Sequence, residues 1–121
     1  MRALDIVVHA STSPEPFGMV IVEAMACGKA VIASQGGGAT EIFTDGVDAI
    51  GHCPADALDL SNALKRLLSD SGLRLRLGSA GRRTAESQFD RPRLAREVSQ
   101  LYRESSNDLC VTPTMAVAAR N

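Results

Sequence analysis

Apolar residues follow two different periods along the chain, and the change falls at Pro54. Before it they come in short continuous runs, Ile6 to Val8 and Ala30 to Ala33, bounded by proline, glycine and serine. Runs of this kind, rich in β-branched residues, predict buried strands of a parallel sheet over residues 5–9 and 30–34. Ser11, Ser13, Pro14 and Pro16 make the segment after the first strand a loop. A helix is predicted from Phe17 or Gly18 to Cys27, with Gly28 as its C-cap. The Gln35-Gly36-Gly37-Gly38 stretch predicts a loop with unusual backbone angles or a close approach. One or two helical turns follow over 39–43, then a turn at Asp45-Gly46 and a very short third strand at Ala49-Ile50.

Beyond Pro54 the spacing becomes helical. Leu58, Leu60, Ala63, Leu64, Leu67 and Leu68 predict a helix over about 56–70. Leu73, Leu75, Leu77 and Ala80 continue in a second, which Gly78 and Gly81 weaken by about 1 kcal/mol each. Asp90 is a good N-cap for a further helix, with Pro92 in its first turn and Leu94, Val98 and Leu101 on its apolar side. The Ser105–Asp108 stretch is expected to break that helix and to open a disordered tail over 105–121. The order β-α-β followed by helices belongs to the α/β class with a parallel sheet. Two or three short strands are too few to complete such a sheet. The expectation is a partial Rossmann-like domain over 1–104, the second half of a larger one.

Composition narrows the class. With 45% apolar and 22% charged residues and a net charge of −1, the chain has the balance of a soluble globular domain. No apolar run nears the roughly 20 residues of a bilayer span. Asp5 interrupts the place where a signal peptide would continue its apolar stretch. Three cysteines (Cys27, Cys53 and Cys110) without a CxxC pair argue against a disulfide framework or structural zinc and for a reducing, cytoplasmic setting. Charge is uneven: residues 1–59 carry eight acids and two bases, and residues 60–121 six acids and eleven bases. Seven arginines lie between Arg74 and Arg96, yet the chain has three Phe, one Tyr and no Trp. Without aromatics to stack on bases, a solvated helical face is the better reading than a nucleic-acid surface.

Chemistry concentrates between Glu15 and Glu23. The predicted helix begins there, and the backbone N–H groups of Gly18, Met19 and Val20 lack intrahelical partners, which favours an anion. Glu15 sits in a loop restricted by Pro14 and Pro16. Glu23 lies about two turns into a helix of otherwise apolar residues, where an unpaired carboxylate costs several kcal/mol. Carboxylates accept hydrogen bonds, so hydroxyls and N–H groups are their partners. Two of them beside an anion-binding helix end suit a phosphate flanked by hydroxylated rings. A nucleotide-sugar has that form. The plainer alternative makes Glu15 a solvated loop residue and pairs Glu23 with a nearby base.

The run from Glu15-Pro16-Phe17-Gly18 to Glu23-Ala24-Met25-Ala26, together with Gly28-Lys29, Val31 to Ser34, Gly36-Gly37 and Glu41-Ile42, resembles the signature of the retaining, GT-B glycosyltransferases often called group 1. The similarity extends from about Asp5 to Tyr102 and includes Leu67 to Asp70 and Leu75 to Gly78. In this family two Rossmann-like domains face a cleft. The resemblance gives Glu15 the hydroxyls of the transferred sugar, in the catalytic position, and Glu23 the ribose hydroxyls. It gives the N–H groups of Phe17, Gly18, Met19 and Val20 to the sugar and diphosphate. It implies a nucleoside-diphosphate sugar as donor and no metal cofactor.

The chain departs from the family at Ala30, where proline is usual, and at Gly51 to Pro54, which is expected to be an altered surface loop. The family's basic pair, an Arg and a Lys that neutralise the diphosphate, lies upstream of the matching positions, as does its N-terminal acceptor domain. The expectation is therefore a fragment: inactive alone, a weak binder of nucleotide-sugar, and prone to self-association through an open sheet edge. The alternative from another class is a non-catalytic remnant that pairs through that edge. A dinucleotide binder is disfavoured, since Gly36-Gly37-Gly38 lacks the G-x-G-x-x-G spacing. Weaker candidates remain. His9 ends the first strand, where parallel-sheet ligands bind, and is a candidate lining residue beside Gly36 and Gly37. His52-Cys53 has no second pair to complete a metal site.

Overall fold

The computed structural model describes residues 3–108. Strand β1 (Ile6–His9) is followed by helix α1 (Met19–Ala26), strand β2 (Ala30–Ser34), a 3-10 turn over Gly38–Glu41 and strand β3 (Ile50–His52). Helices α2 (Ala57–Ser69), α3 (Ser71–Gln88) and α4 (Arg91–Asp108) come after. The strands form one parallel sheet in the order β1-β2-β3. This is an α/β, partial Rossmann-like arrangement. The described residues fall into two units, one up to Asp90 and a second from Arg91.

Register divides the sheet into two faces. Ile6 pairs with Ala30, Val7 with Val31 and His9 with Ala33, while Ile32 pairs with Ile50 and Ser34 with His52. Side chains alternate along a strand, so Val7, Val31 and Ala33 share one face. There they join Ile21, Val22 and Met25 of α1 and Ile42 and Phe43 beyond the 3-10 turn. On the other face Ala30, Ile32 and Ile50 pack with Ala63 and Leu67 of α2 and Leu77 of α3. Each fully buried Ile, Leu or Met contributes about 1.5–3 kcal/mol. The uniformly buried β2 is the continuous apolar run that the sequence pattern predicts.

The helices correct the predicted stripes. Leu58, Leu68 and Leu75 are exposed; the buried stripe of α3 runs through Leu77, Gly78, Gly81 and Ala85, with Leu73 partly buried one turn earlier. Gly78 and Gly81 are thus packing positions rather than weak points. A Cβ on Gly78 would stand 2.3 Å from the Gly28 carbonyl oxygen, so the absence of a side chain lets α3 cross the turn that ends α1. That turn is closed at Gly28, whose N–H donates to Met25 while that of Lys29 donates to Ala24, as a glycine-ended helix requires.

Two further expectations change. β3 includes Gly51 and His52, and His52 is buried, so of the stretch expected as a surface loop only Cys53 and Pro54 are exposed and outside the strand. Helix α4 continues through Asp108 instead of breaking at Ser105. Serine and asparagine cost a helix only tenths of a kcal/mol each and neither glycine nor proline intervenes. Pairs one turn apart, Arg93 with Glu97 and Gln100 with Glu104, support it. The rest of the expected tail, 109–121, lies outside the described residues.

Much of the arginine-rich stretch serves the helices themselves. Asp56 caps α2 by accepting from the N–H groups of Leu58 and Asp59, and Asp70 caps α3 through Leu73. Arg74 donates to the carbonyls of Leu67 and Leu68 at the end of α2, and Arg82 pairs with Glu86. Asp48, buried between elements, accepts from the Thr44 N–H at 2.7 Å and from the Thr84 hydroxyl at 2.8 Å, tying the loop before β3 to α3.

Candidate functional site

At the C-terminal ends of the strands, two loops meet. The Glu15 carbonyl accepts from the N–H of Gly38 at 2.8 Å, and Glu15 and Gly37 form an isolated parallel bridge. Gly37 has φ 65° and ψ −149°, a region essentially restricted to glycine. A Cβ there would sit 2.5 Å from the Glu15 carbonyl oxygen. Gly36 lies against Pro54 on the same side. The prolines on either side of Glu15 and the glycines opposite therefore fix its backbone before any ligand arrives.

α1 starts directly behind this junction. Gly18, at φ 87°, is its N-cap and provides no side-chain cap. At this end the Ile21 N–H donates to the Gly18 carbonyl at 2.9 Å. The N–H groups of Met19 and Val20 precede it and have no acceptor within the helix. Gly18 is buried over Ile21 and Ile42 and lies close to the Glu15 side chain. Phe17 packs edge-on against Phe89, ring centres 6.1 Å apart, so its ring serves the fold and its backbone lies beside the site.

The apolar surroundings expected for Glu23 are one-sided. Met19, Val20, Glu23 and Ala26 are exposed, whereas Ile21, Val22, Ala24 and Met25 are buried. Three- and four-residue spacing puts Glu23 one turn below Met19 and Val20 on the same exposed strip. The free-amide end of α1 thus lies between the two carboxylates: Glu15 before the helix and Glu23 one turn in. Positions 3–28 contain no lysine or arginine.

His9 joins this group. Its Nε2 stands 3.5 Å from Oε2 of Glu15, with 10% of the histidine side chain exposed. His52, set aside in the sequence as half of an incomplete metal pair, reaches the backbone of His9. The His52 ring lies on the α2 face, with Nδ1 2.9 Å from the Cys53 carbonyl oxygen and Nε2 3.3 Å from that of His9. A neutral ring donates to one of these, and the shorter contact favours Nδ1. Strand register, invisible in the sequence, brings these two histidines together. The Cys53 thiol is held above its ordinary pKa chiefly by the Asp59 carboxylate, which works against thiolate ligation of a metal.

Comparison with known proteins gives the family. The family model for group 1 glycosyl transferases matches residues 1–84. The D-inositol 3-phosphate glycosyltransferase of Streptomyces bingchenggensis is 39% identical over 107 residues, covering 86% of this chain and 22% of that protein. The crystal structure of Anabaena Alr3699/HepE in complex with UDP superposes with a TM-score of 0.83 at 35% identity, covering 85% of this chain and 28% of the other. The C-terminal domain of a group 1 family protein (LpcC) from Francisella tularensis gives 0.69 at 37% identity, covering 74% and 46%. The chain spans about a quarter of the length of the curated relatives it matches. No helix among the described residues is long and apolar enough to cross a membrane. With the family model matched over residues 1–84 and relatives of GT-B fold superposing on the sheet and helices, the chain belongs to the group 1 glycosyl transferases of GT-B architecture.

Proposed function

We propose that this chain is the donor-binding portion of a retaining glycosyltransferase and takes a nucleoside-diphosphate sugar at the N-terminus of α1. The observation that carries the reading is that half-buried Glu15 before α1 and exposed Glu23 within it flank the unpartnered N–H groups of Met19 and Val20. Glu15 accepts from hydroxyls of the transferred sugar. Glu23 accepts from those of the ribose. The diphosphate lies on the helix-end amides of Gly18, Met19 and Val20, which stabilise its developing charge as it departs. Solved relatives in complex with UDP and with UDP-glucose support a uridine donor.

Two negative charges on the ligand would meet two carboxylates in a segment without a base between residues 3 and 28, so binding by this chain alone is weak. β1 has a hydrogen-bonded neighbour on one side among the described residues, and Val8 on it is 41% exposed, which favours self-association through that edge.

Calorimetric titration with UDP and UDP-glucose, with light scattering for mass, tests the reading. Dissociation constants of roughly 0.1–1 mM are expected, equivalent to about −4 to −5.5 kcal/mol. Absence of binding at millimolar ligand overturns the site. Micromolar binding by a monomer overturns the weak-binding argument and means that the chain supplies its own cation.

A further inference from the structure

β1 ends in a histidine with one ring nitrogen facing a carboxylate and the other enclosed. Because His9 pairs in register with Ala33, it lies on the face of the sheet covered by α1, where Ile21, Val22 and Met25 are apolar. Its Nδ1 is buried and without a hydrogen-bond partner among the described residues. Its Nε2 faces the Glu15 carboxylate at 3.5 Å. The other titratable neighbour is His52, whose Nε2 reaches the backbone carbonyl of His9 and not its ring.

A carboxylate accepts hydrogen bonds and cannot donate one. A proton on Nδ1 would be enclosed without an acceptor and would turn the Nε2 lone pair toward an anion. A proton on Nε2 meets an acceptor. The geometry therefore places the ring proton on Nε2, aimed at Oε2 of Glu15. The Glu15 backbone is already fixed through Gly37 and Gly38, so the side chain is its main remaining freedom.

We propose that His9 is a positioning residue: its Nε2–H holds Oε2 of Glu15 and leaves Oε1 directed at the sugar of the donor. The proposal rests on the reading above that Glu15 meets the sugar. His9 touches no ligand itself. It removes in advance the rotamer freedom that Glu15 would otherwise lose on binding, so its effect is confined to ligands that carry the sugar.

Two measurements on the 121-residue chain decide it. NMR should find a slowly exchanging imidazole N–H on His9 that disappears in Glu15→Ala; a signal unchanged in that variant overturns the contact. In titrations, His9→Phe should weaken UDP-glucose about fivefold and leave UDP within twofold, while His9→Gln, which keeps a donor, restores most of the loss. Equal losses for both ligands, or no loss for either, overturn the positioning role. If His9→Phe does not fold, His9→Gln and the N–H signal still decide. If neither ligand binds the parent chain, the donor-binding reading has failed, and the N–H signal separately reports whether His9 holds Glu15.

Discussion

Alanine at Gly37 should lower the melting temperature of the chain by roughly 8–48 °C and release the loop that carries Glu15. The estimate has two parts. A non-glycine residue at φ 65° and ψ −149° is strained by about 1–3 kcal/mol. The added Cβ also falls 2.5 Å from the Glu15 carbonyl oxygen and 2.9 Å from its nitrogen, an overpacking that costs a further 1–3 kcal/mol or so. A loss of 1 kcal/mol shifts the melting point of a domain this size by about 4–8 °C. Gly46→Ala is the control, because Gly46 has φ 73° but nothing within 4 Å of the Cβ position. It should lose only the backbone part. Thermal unfolding followed by circular dichroism compares them, and equal losses would mean that the contact between the two loops does not constrain the fold.

Glu23→Ala should reduce affinity for UDP by about ten- to a hundredfold, the loss of charge-assisted hydrogen bonds of roughly 1.5–3 kcal/mol. Glu15→Gln should leave UDP binding nearly unchanged and remove the additional affinity that the sugar gives UDP-glucose. The asymmetry follows from position. Glu23 lies on the exposed strip one turn into α1, at the nucleoside end in the proposed pose, whereas Glu15 stands before the helix against His9 and Gly37. Neither substitution removes a buried contact that the core needs, since Glu23 is exposed and the Glu15 backbone bond to Gly38 survives. Isotherms for both ligands on both variants check this. If the two variants lose the same ligand, the assignment of rings to carboxylates is reversed or wrong.

Strands and site segment were readable because local pattern dictates them. β2 is apolar at every position but Ser34 and is buried at every position. Gly18, Glu15 and Glu23 stand out against proline and apolar neighbours. What could not be read depends on which residues meet across the fold. Gly78 and Gly81 look like helix breakers until α3 is set against the Gly28 turn; yet Leu73, Leu77, Gly81 and Ala85 recur at every fourth position, a stripe that would have revealed them. Leu58, Leu68 and Leu75 read as core and are exposed, since apolarity marks candidates but not the side a helix presents. His52 looked like loop because β3 is three residues long and paired by register. The end of α4 escaped because polar residues continue a helix when no glycine or proline stops it.

In the proposed pose the N-terminus of α1 holds the diphosphate. Amide-resolved NMR titration of this chain with UDP tests it most directly. The backbone N–H resonances of Gly18, Met19 and Val20 should shift furthest and together, the Glu23 side chain should respond with them, and Glu23→Ala should diminish all of these shifts in concert. Shifts concentrated instead on the exposed arginines Arg76 and Arg83 of α3, with the α1 amides unmoved at saturation, would contradict it.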